Sequence, residues 1–221
     1  MPGIQVGLIV VRNADNTGQY DALTTKLRAG EAYIRNTLNE ETYREHPTLA
    51  ALQEVHRAFG NNPNKFPPSI QALCKRILKG GDLPSINLLV DAYNIVSLQH
   101  ILSCGGEDLD ACDGDIVLDY ADGSEEFIAL GEAENTPPKP GEVVYKDNQG
   151  VICAKFDWRE GDRTKITPES KNVVLVIETL PPTGKAELEQ ALQELVDLVT
   201  EHCGGSLTTH ILDESHPHAA L

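Results

Sequence analysis

The stretch LVDAYNIVSLQHILSCGGEDLD, residues 89–110, joins an apolar helical pattern to a glycine-rich acidic segment. Its apolar residues recur at three- and four-residue intervals, which is typical of a helix. Asp91, Asn94 and Ser97 share one stripe, because residues three apart are neighbours on a helix surface. This stripe is either a hydrogen-bonding seam to neighbouring backbone or one wall of a polar pocket. We expect Asp91 to anchor the helix, with Asn94 and Ser97 facing a ligand or bound water.

Glycine predicts where this helix ends. Gly105 and Gly106 favour the left-handed backbone that closes helices, so the helix is expected to end near Leu102. The GGEDLD segment that follows is interpreted as an acidic turn. Its carboxylates are expected to face solvent, apart from Asp108.

Length and cysteine content indicate a globular chain. Its 221 residues suffice for one large domain or two small ones with a sizeable core. No apolar run reaches the roughly eighteen residues of a membrane span, and the apolar N-terminal stretch reads as a first buried strand rather than a signal peptide. The five cysteines lack CxxC spacing. This argues against a disulfide framework or a zinc site and favours a reducing cytoplasm.

The formal net charge of -16 restricts the possible partners. Broad nonspecific binding to phosphate backbones relies on basic surface, so DNA is not an expected partner. A local basic patch remains compatible with this charge. Solubility alone is sufficient to account for such an acidic composition.

The first third of the chain has a helical pattern. A strand is predicted at residues 4–11, and residues 60–70 form a loop rich in Asn and Pro. Besides the helix described above, helices are predicted at residues 20–38, 47–59 and 69–78.

Strands predominate after Gly105. GDIVLDYA and SEEFIAL are predicted to form a hairpin across ADGS, because Asp-Gly is a strong hairpin signal. A second hairpin joins EVVYKD to VICAKFDW, and KNVVLVIETL is a buried strand. A helix at 185–202, a strand SLTTHILD and a frayed tail complete the chain. The predicted class is α+β, with an antiparallel-rich sheet and helices packed on it.

Familiar catalytic and metal-binding motifs do not occur in the sequence. There is no GxGxxG, phosphate loop, HExxH or GxSxG, and the seven histidines are scattered. The acidic neighbours of Cys104 and Cys112 argue against a catalytic thiolate. The acidic cluster at residues 107–115 lacks the spacing of a calcium loop. We therefore expect no metal and no cofactor.

Several sequence pieces in order resemble one known family. They are LVDAYNIVSL, GGEDLD, GDIVLDYADGSEEFIALGE, PGEVVYKD and KFDWREGDRTKITPESKNVVLVIE. Together they are similar to the editing domain of the beta subunit of bacterial phenylalanyl-tRNA synthetase, and more closely to free-standing homologues of that domain. The similarity spans residues 65–178. The resemblance implies residues 61–180 as an editing-domain-like core, with 1–60 in the same globule, a C-terminal helix and strand at 181–213, and a tail at 214–221.

The resemblance implies a function in translation. In the synthetase this domain hydrolyses tyrosine wrongly attached to the phenylalanine tRNA, and similar free-standing domains are expected to act in trans on a mischarged aminoacyl-tRNA. Ester hydrolysis needs a positioned water, donors for the oxyanion and an amino-acid pocket. The alternative is a tRNA- or amino-acid-binding module that has lost hydrolysis. A weaker third possibility is hydrolysis of a small ester or amide unrelated to tRNA.

The resemblance transfers only in part to individual residues. Asn94 matches the pocket Asn of the family, but Tyr93 stands where a small Thr is usual. Ser103–Gly105 replaces a Pro-Leu-His segment, so the pocket His is missing, which puts tyrosine editing in doubt. Asp108 matches the family Asp. Glu178 lies near the Glu that reads the substrate hydroxyl, but the alternative alignment places Val176 there, so specificity for tyrosine does not transfer.

Other candidate residues come from local chemistry. Glu142 either orients water or is a surface residue at a strand start. Trp158 is either core or a platform for a base, with Arg159 reaching a phosphate. The candidate RNA-binding residues are Lys65, Ser69, Lys75, Arg76, Arg159 and Arg163.

The sequence therefore predicts a cytoplasmic protein whose partner is a mischarged tRNA, with no membrane partner. The predicted catalytic residues are Asn94 and Glu142. The predicted substrate-binding residues are Tyr93, Ser97, Asp108, Trp158 and Glu178.

Overall fold

The computed structural model describes residues 3–18 and 21–221, which form helices packed on one of two antiparallel sheets. The helices are α1 Asp21–Thr37, α2 Pro47–Ala58, α3 Ser69–Leu78, α4 Leu88–His100 and α5 Lys185–His202, with a 3₁₀ turn at Tyr43–Glu45. The strands are β1 Gln5–Arg12, β2 Ser103–Asp108, β3 Val117–Tyr120, β4 Val143–Lys146, β5 Val151–Ala154, β6 Arg159–Glu160, β7 Val173–Thr179 and β8 Ser206–Leu212.

The first sheet has the strand order β2-β7-β1-β8, and the second has the order β3-β4-β5-β6. All pairs between neighbouring strands are antiparallel. Successive side chains of a strand point to opposite faces. The first sheet therefore turns one face to the helices and the other to the second sheet. These features confirm the predicted α+β class.

The helical face of the first sheet carries the main core. Ile9, Leu175 and Ile177 are fully buried there, in one apolar cluster with Leu188 and Leu195 of α5. Long apolar runs in β1 and β7 supply this face, and the amphipathic pattern of α5 supplies the opposing one. The predicted bounds of α3 and α5 are confirmed.

Helix α4 is fixed at its start by two polar residues. The Asn87 side chain accepts a hydrogen bond from the Val90 amide at 3.0 Å and so caps the helix. Asp91 accepts from the Ile86 amide at 2.9 Å and from the Ser85 hydroxyl. Asp91 therefore anchors the helix, as predicted.

The predicted end of α4 at Leu102 was wrong by two residues, and the glycines do not close it. The helix ends at His100, and Ile101 adopts the left-handed conformation with φ 54°. Its side chain is buried. Burial of a large apolar side chain thus offsets the backbone cost that glycine would have avoided.

Two further local predictions were wrong. The GGEDLD segment is not a turn at its start, because residues 103–108 form the edge strand β2. SEEFIAL makes only isolated bridges, and β3 pairs with β4 instead of with it. The carboxylates of Asp122 and Glu125 accept hydrogen bonds from the backbone amides of residues 122–124, which shapes the turn that leads into this segment. The second hairpin, β4 with β5, is confirmed.

Other predictions can be compared only in part. Residue 20, where the first helix was predicted to begin, lies outside the described residues. Among the described ranges, the helices do not combine the length and apolar character that a bilayer crossing requires.

Gly7 is needed where β1 approaches α5. A Cβ built on Gly7 would lie 2.9 Å from Leu192 Cδ1 and 3.0 Å from Leu188 Cδ1. We expect Gly7→Val to lower the free energy of unfolding by about 1–3 kcal/mol, because it overfills a packed core. Urea denaturation measures the change.

A double variant tests whether crowding against Leu192 causes the loss of stability in Gly7→Val. Leu192→Ala should relieve part of the Gly7→Val cost, so the double variant is more stable than the two single effects predict. Thr209→Val, at an exposed position of β8, is the matched control and should change stability by less than about 0.5 kcal/mol. Strict additivity at residues 7 and 192 would contradict the explanation.

Candidate functional site

A cavity of about 960 Å³ lies between the two sheets. Its floor is the face of the first sheet opposite the helices, including Leu8 and Val176. Tyr145 and Ile152 of the second sheet line it from above, and residues 217–221 close one side. The predicted frayed tail therefore forms part of a wall. A cavity of this size is at the upper end of the usual range for small-ligand sites.

Seven carboxylates line the cavity; Asp115, Asp213 and Glu214 are at its more exposed side, and four others come from separate parts of the chain: Glu107, Asp157, Glu160 and Glu178. Glu107 belongs to β2, Glu160 to β6 and Glu178 to β7, whereas Asp157 follows β5. Glu107, Asp157 and Glu178 are each at most 6 % exposed. Carboxylates are rarely this buried without a compensating partner, so the cluster makes the cavity a candidate functional site.

Strand register orders these carboxylates along the cavity floor. Glu107 pairs with Val174, and Glu178 pairs with Ser103. The two glutamates thus lie on the same face, four residue positions or roughly 13 Å of strand apart. Gly105 lies between them, and its missing Cβ leaves room for the carboxylate of Glu160, whose Oε1 would be 2.8 Å from that atom.

Burial and mutual repulsion disfavour ionisation of these groups. Burial raises the pKa of Glu107 well above its usual value, and the Glu160 carboxylate raises it further. Burial is also the main reason why the pKa values of Glu160 and Glu178 are raised. Asp157 adds to the effect on both. Neighbouring carboxylates in a low-dielectric cavity therefore retain protons at pH values where exposed ones are ionised.

Several polar atoms at this cavity lack a hydrogen-bond partner among the described residues. They are Oε2 of Glu107, Oε2 of Glu160 and the hydroxyl of Tyr145, which lies beside the Glu178 carboxylate but not in good hydrogen-bond geometry. Burial and the neighbouring Glu178 raise the pKa of Tyr145 well above its usual value, so this hydroxyl keeps its proton. Buried polar atoms are almost always satisfied in folded proteins, and unsatisfied ones commonly meet a ligand or water.

A buried polar chain holds Asp157 in place. His56 Nε2 lies 2.6 Å from Asp157 Oδ1, and Asn61 Nδ2 lies 2.6 Å from His56 Nδ1. The Asn61 amide donates to Nδ1, so the Nε2 atom carries the proton that bonds Asp157. The Ser103 hydroxyl donates to the other oxygen, Oδ2. Serine and histidine both bond Asp157 and not each other, so this is not a Ser-His-Asp triad.

Left-handed backbone turns Asp157 toward the cavity. Lys155 and Phe156 have φ values of 54° and 71°, which are uncommon for residues with a side chain. Phe156 is fully buried, and its amide donates to the Val143 carbonyl at 2.7 Å. Such backbone is often found at functional sites.

Two of the residues singled out from the sequence line the cavity, Ser69 and Glu178. Ser69 is the first residue of α3, and its amide donates to the Asp157 carbonyl at 2.9 Å. Asn94 is half-buried on α4 and is not among the cavity-lining residues. Glu142 is outside the cavity lining as well, and its Oε2 is 2.5 Å from Lys155 Nζ. Catalytic roles for Asn94 and Glu142 remain predictions.

The other predicted substrate-binding residues make internal contacts. The Ser97 hydroxyl donates to the Leu102 carbonyl at 2.6 Å, which supports the seam interpretation of the α4 stripe. Asp108 accepts a bond from the Ser170 hydroxyl. Trp158 packs edge-on against Phe66, with ring centroids 4.8 Å apart. Burial and the nearby Glu160 raise the pKa of Tyr93.

Most of the predicted RNA-binding residues contact other groups of the protein, whereas Lys75 lines a surface pocket. Arg159 bonds the Leu130 carbonyl and pairs with Glu132, and Arg163 lies 2.6 Å from Asp147. The Arg76 Nε atom donates to the Asp82 carbonyl. Lys65 lies over the Phe66 ring, 5.0 Å from its centroid. Lys75 shares a small surface pocket with Arg44 and Lys79.

Glu107, Asp157 and Glu160 were not identified as site residues from the sequence. Glu107 was assigned to a solvated turn, whereas it lies in strand β2. A usable signal was the position of Glu178 within the apolar run VVLVIET, because a lone carboxylate in a buried strand needs an explanation. Its partners could be found only from the pairing of distant segments.

The cavity wall has few cations and no evident metal site. Among the described lining residues there is neither lysine nor arginine, and His218 is the sole histidine. The described part of the chain contains no group of three or more His, Cys, Asp or Glu residues arranged to hold a metal ion. Cys104 and Cys153 also line the cavity, and burial raises both thiol pKa values well above normal, which disfavours a thiolate nucleophile.

The structure thus has two antiparallel sheets that enclose an acidic cavity, with helices on one outer face. The sequence model of the B3/4 domain matches residues 51–204. This is more than half of the chain, so the chain belongs to the B3/4 domain family. The resemblance to the beta subunit of phenylalanyl-tRNA synthetase is therefore confirmed at the level of the domain.

A solved structure resembles the chain more weakly. It is an N-terminal fragment of the phenylalanyl-tRNA synthetase beta subunit from Pyrococcus horikoshii, with a TM-score of 0.46 and 14 % sequence identity. The match covers 92 % of this chain and 46 % of that fragment, so the chain spans about half its length. A comparison with curated proteins finds no match.

The raised pKa values predict how stability depends on pH. A carboxyl whose pKa is higher in the folded state stabilises the fold below its unfolded pKa, 4.5 for glutamate. That contribution is lost as the pH rises through the folded pKa. Glu107→Gln removes one such group, so we expect it to raise the free energy of unfolding near neutral pH by on the order of 1 kcal/mol. Urea denaturation across a pH series measures this.

The exposed carboxylate Glu189 on α5 provides the matched control for this series. Glu189→Gln should leave the pH profile parallel to that of the unmodified protein, because an exposed side chain with one surface ion pair contributes little to stability. The profile of Glu107→Gln should be flatter above pH 4.5. Superimposable profiles for all three proteins would refute the buried-carboxylate explanation.

Proposed function

We propose that this domain hydrolyses the ester bond of a mischarged aminoacyl-tRNA in trans, with the aminoacyl group in the cavity between the sheets. The observation that carries the proposal is the pair of neighbouring buried carboxylates, Glu107 and Glu160, in a ligand-sized cavity of a B3/4 domain. Coupled carboxylates with raised pKa values can exist near neutral pH as one acid and one base. This is the protonation pattern that ester hydrolysis uses.

The carboxyl pair supplies both proton transfers in the proposed reaction. The ionised member takes a proton from water as the water oxygen attacks the ester carbonyl carbon. The protonated member gives its proton to the ribose oxygen as the ester carbon–oxygen bond breaks. The pair then holds the same number of protons as before, in exchanged positions. The Tyr145 hydroxyl, which lies on the cavity wall beside Glu178 and keeps its proton, is a candidate donor to the developing oxyanion.

Helix α3 offers a route for the RNA backbone. It begins at Ser69 on the cavity wall and carries Lys75 and Lys79 away from it. Its ten residues span roughly 15 Å. Lys75 and Lys79 share a surface pocket with Arg44, and these three cations could contact phosphate although Glu40 and Glu41 line the same pocket. The engaged Arg159 and Arg163 are weaker candidates, because RNA binding would have to break their ion pairs.

A second candidate function is a tRNA- or amino-acid-binding module without hydrolytic activity. It is favoured by the lack of lysine and arginine among the described residues that line the cavity. Without such a cation, stabilisation of an oxyanion depends on hydroxyl and backbone donors alone. The same deacylation measurement separates the two candidates.

Deacylation of a panel of correctly and wrongly charged tRNAs tests the proposal. We expect the protein to accelerate loss of the amino acid from one mischarged species. Glu160→Gln should slow that reaction by about a hundredfold or more, because it removes a proton-transferring group. Release of radiolabelled amino acid measures the rate.

Controls assign the effect to the cavity. Glu189→Gln, on the far side of the first sheet, should react at the unmodified rate. Asn94→Ala tests the sequence-based catalytic assignment directly. A loss of deacylation rate as large as that of Glu160→Gln would indicate that a catalytic residue lies on α4. Folded protein that accelerates none of the deacylations would reject the hydrolase and favour the binding module.

A further inference from the structure

Strand β8 is one edge of the first sheet, and it lacks the features that usually protect such an edge. It pairs with β1 along its whole length, from Ser206 opposite Arg12 to Leu212 opposite Val6. The register is continuous, so the strand contains no bulge. Its sequence, SLTTHIL, contains no acidic residue, lysine, arginine or proline. Charged side chains, prolines and bulges are the means by which natural proteins block pairing at a sheet edge.

The outer side of β8 has unused hydrogen-bonding groups. In an antiparallel edge strand, part of the backbone N–H and C=O groups point away from the neighbouring strand. Across the ranges that the structure describes, residues 206–212 form backbone hydrogen bonds with β1 alone. Ser206, Thr208 and Thr209 are exposed. The edge is therefore open over seven residues, or roughly 24 Å of strand.

The other three sheet edges are protected. Strand β2 is acidic, and the Asp108 amide already donates to the Thr164 carbonyl at 2.8 Å. Strand β3 has four residues, of which Asp119 is charged. Strand β6 has two residues, and the Glu160 carbonyl accepts from the Leu130 amide at 2.9 Å. Within the described part of the chain, β8 is therefore the edge to which another strand can be added.

The distribution of charge favours a second copy of this chain as that strand. Two copies with a formal net charge of -16 each repel each other over most of their surfaces. Strand β8 is an uncharged stretch at which they can approach. Its two ends are also complementary, because Arg12 is beside Ser206 at one end and Asp213 follows Leu212 at the other. Antiparallel pairing of two β8 strands places the Arg12 end of each copy beside the Asp213 end of the other.

A two-fold axis perpendicular to the sheet defines the register of this pairing. Such an axis keeps the helices of both copies on the same side, so residues that face the same side lie opposite each other. With the axis at Thr209, the middle of the strand, all seven residues pair. Leu207 then lies opposite Ile211 of the other copy. Both are half-buried beside the main core, and the pairing covers their exposed parts.

We infer that two copies of this chain associate through their β8 strands, so that two four-stranded sheets become one continuous antiparallel sheet. Backbone hydrogen bonds along the two edges and the contacts between Leu207 and Ile211 hold the dimer together. Both cavities lie on the same side of the joined sheet, opposite the helices, because the axis is perpendicular to it. The inference does not depend on the proposed hydrolysis.

Analytical ultracentrifugation of the full chain over a concentration series, at physiological ionic strength, tests the inference. We expect twice the mass of one chain, with dissociation on dilution. Thr209→Lys should raise the dissociation constant of the dimer about tenfold or more, because it places two like charges opposite each other at the axis. Thr209→Val should dimerise like the unmodified protein. Tyr120→Lys, at a 64 % exposed position on the β3 edge, is the positional control and should also dimerise normally.

A mixture of opposite charges separates loss of pairing from loss of folding. Thr209→Glu alone should also dimerise about tenfold more weakly, whereas an equimolar mixture with Thr209→Lys should form a mixed dimer. A single-chain mass throughout the series would overturn the inference. So would a dimer that Thr209→Lys leaves intact, or a mixture that associates no better than its components. Deacylation enters none of these measurements, so failure of the dimer and failure of the hydrolase are distinguishable.

Discussion

The pairing of β7 with β1 on one edge and β2 on the other is the constraint on which the structure depends. It places Leu175 and Ile177 against the helices and Val176 and Glu178 against the cavity, since strand side chains alternate between faces. A shift of one residue in register would exchange these two sets. Core packing and the position of the acidic site are thus set by the same hydrogen bonds.

Local sequence patterns predicted the elements whose signals lie within one segment. The apolar stripe of α5 and the hairpin of β4 with β5 are of this kind, and both were correct. The end of α4 was missed because burial of Ile101 outweighs the backbone preference of glycine. Strand β2 was missed because Gly105 and Gly106 have low strand propensity, and only pairing with β7 makes the segment extended.

The candidate site was less accessible to sequence reasoning for a similar reason. Its carboxylates come from β2, β6, β7 and the turn after β5, so no spacing rule connects them. The family resemblance identified Glu178 but directed attention to the α4 stripe. In the structure, Asp91 and Ser97 of that stripe bond neighbouring protein groups. The domain type could therefore be predicted from sequence order, whereas the acidic cavity required the three-dimensional pairing.

The buried carboxylates of the cavity lower the stability of the fold. Removing several charges from water costs more than their mutual contacts return, and here the neighbours repel each other. Stability alone would favour apolar residues of similar size at these positions. One of these carboxylates is nevertheless held in a fixed position. His56, Asn61 and Ser103 fix Asp157 through three buried hydrogen bonds. A network that orients a destabilising group is explained by binding or catalysis, since packing gains nothing from it. We therefore propose that the acidic groups at this site serve binding or catalysis, unlike the carboxylates spread over the surface.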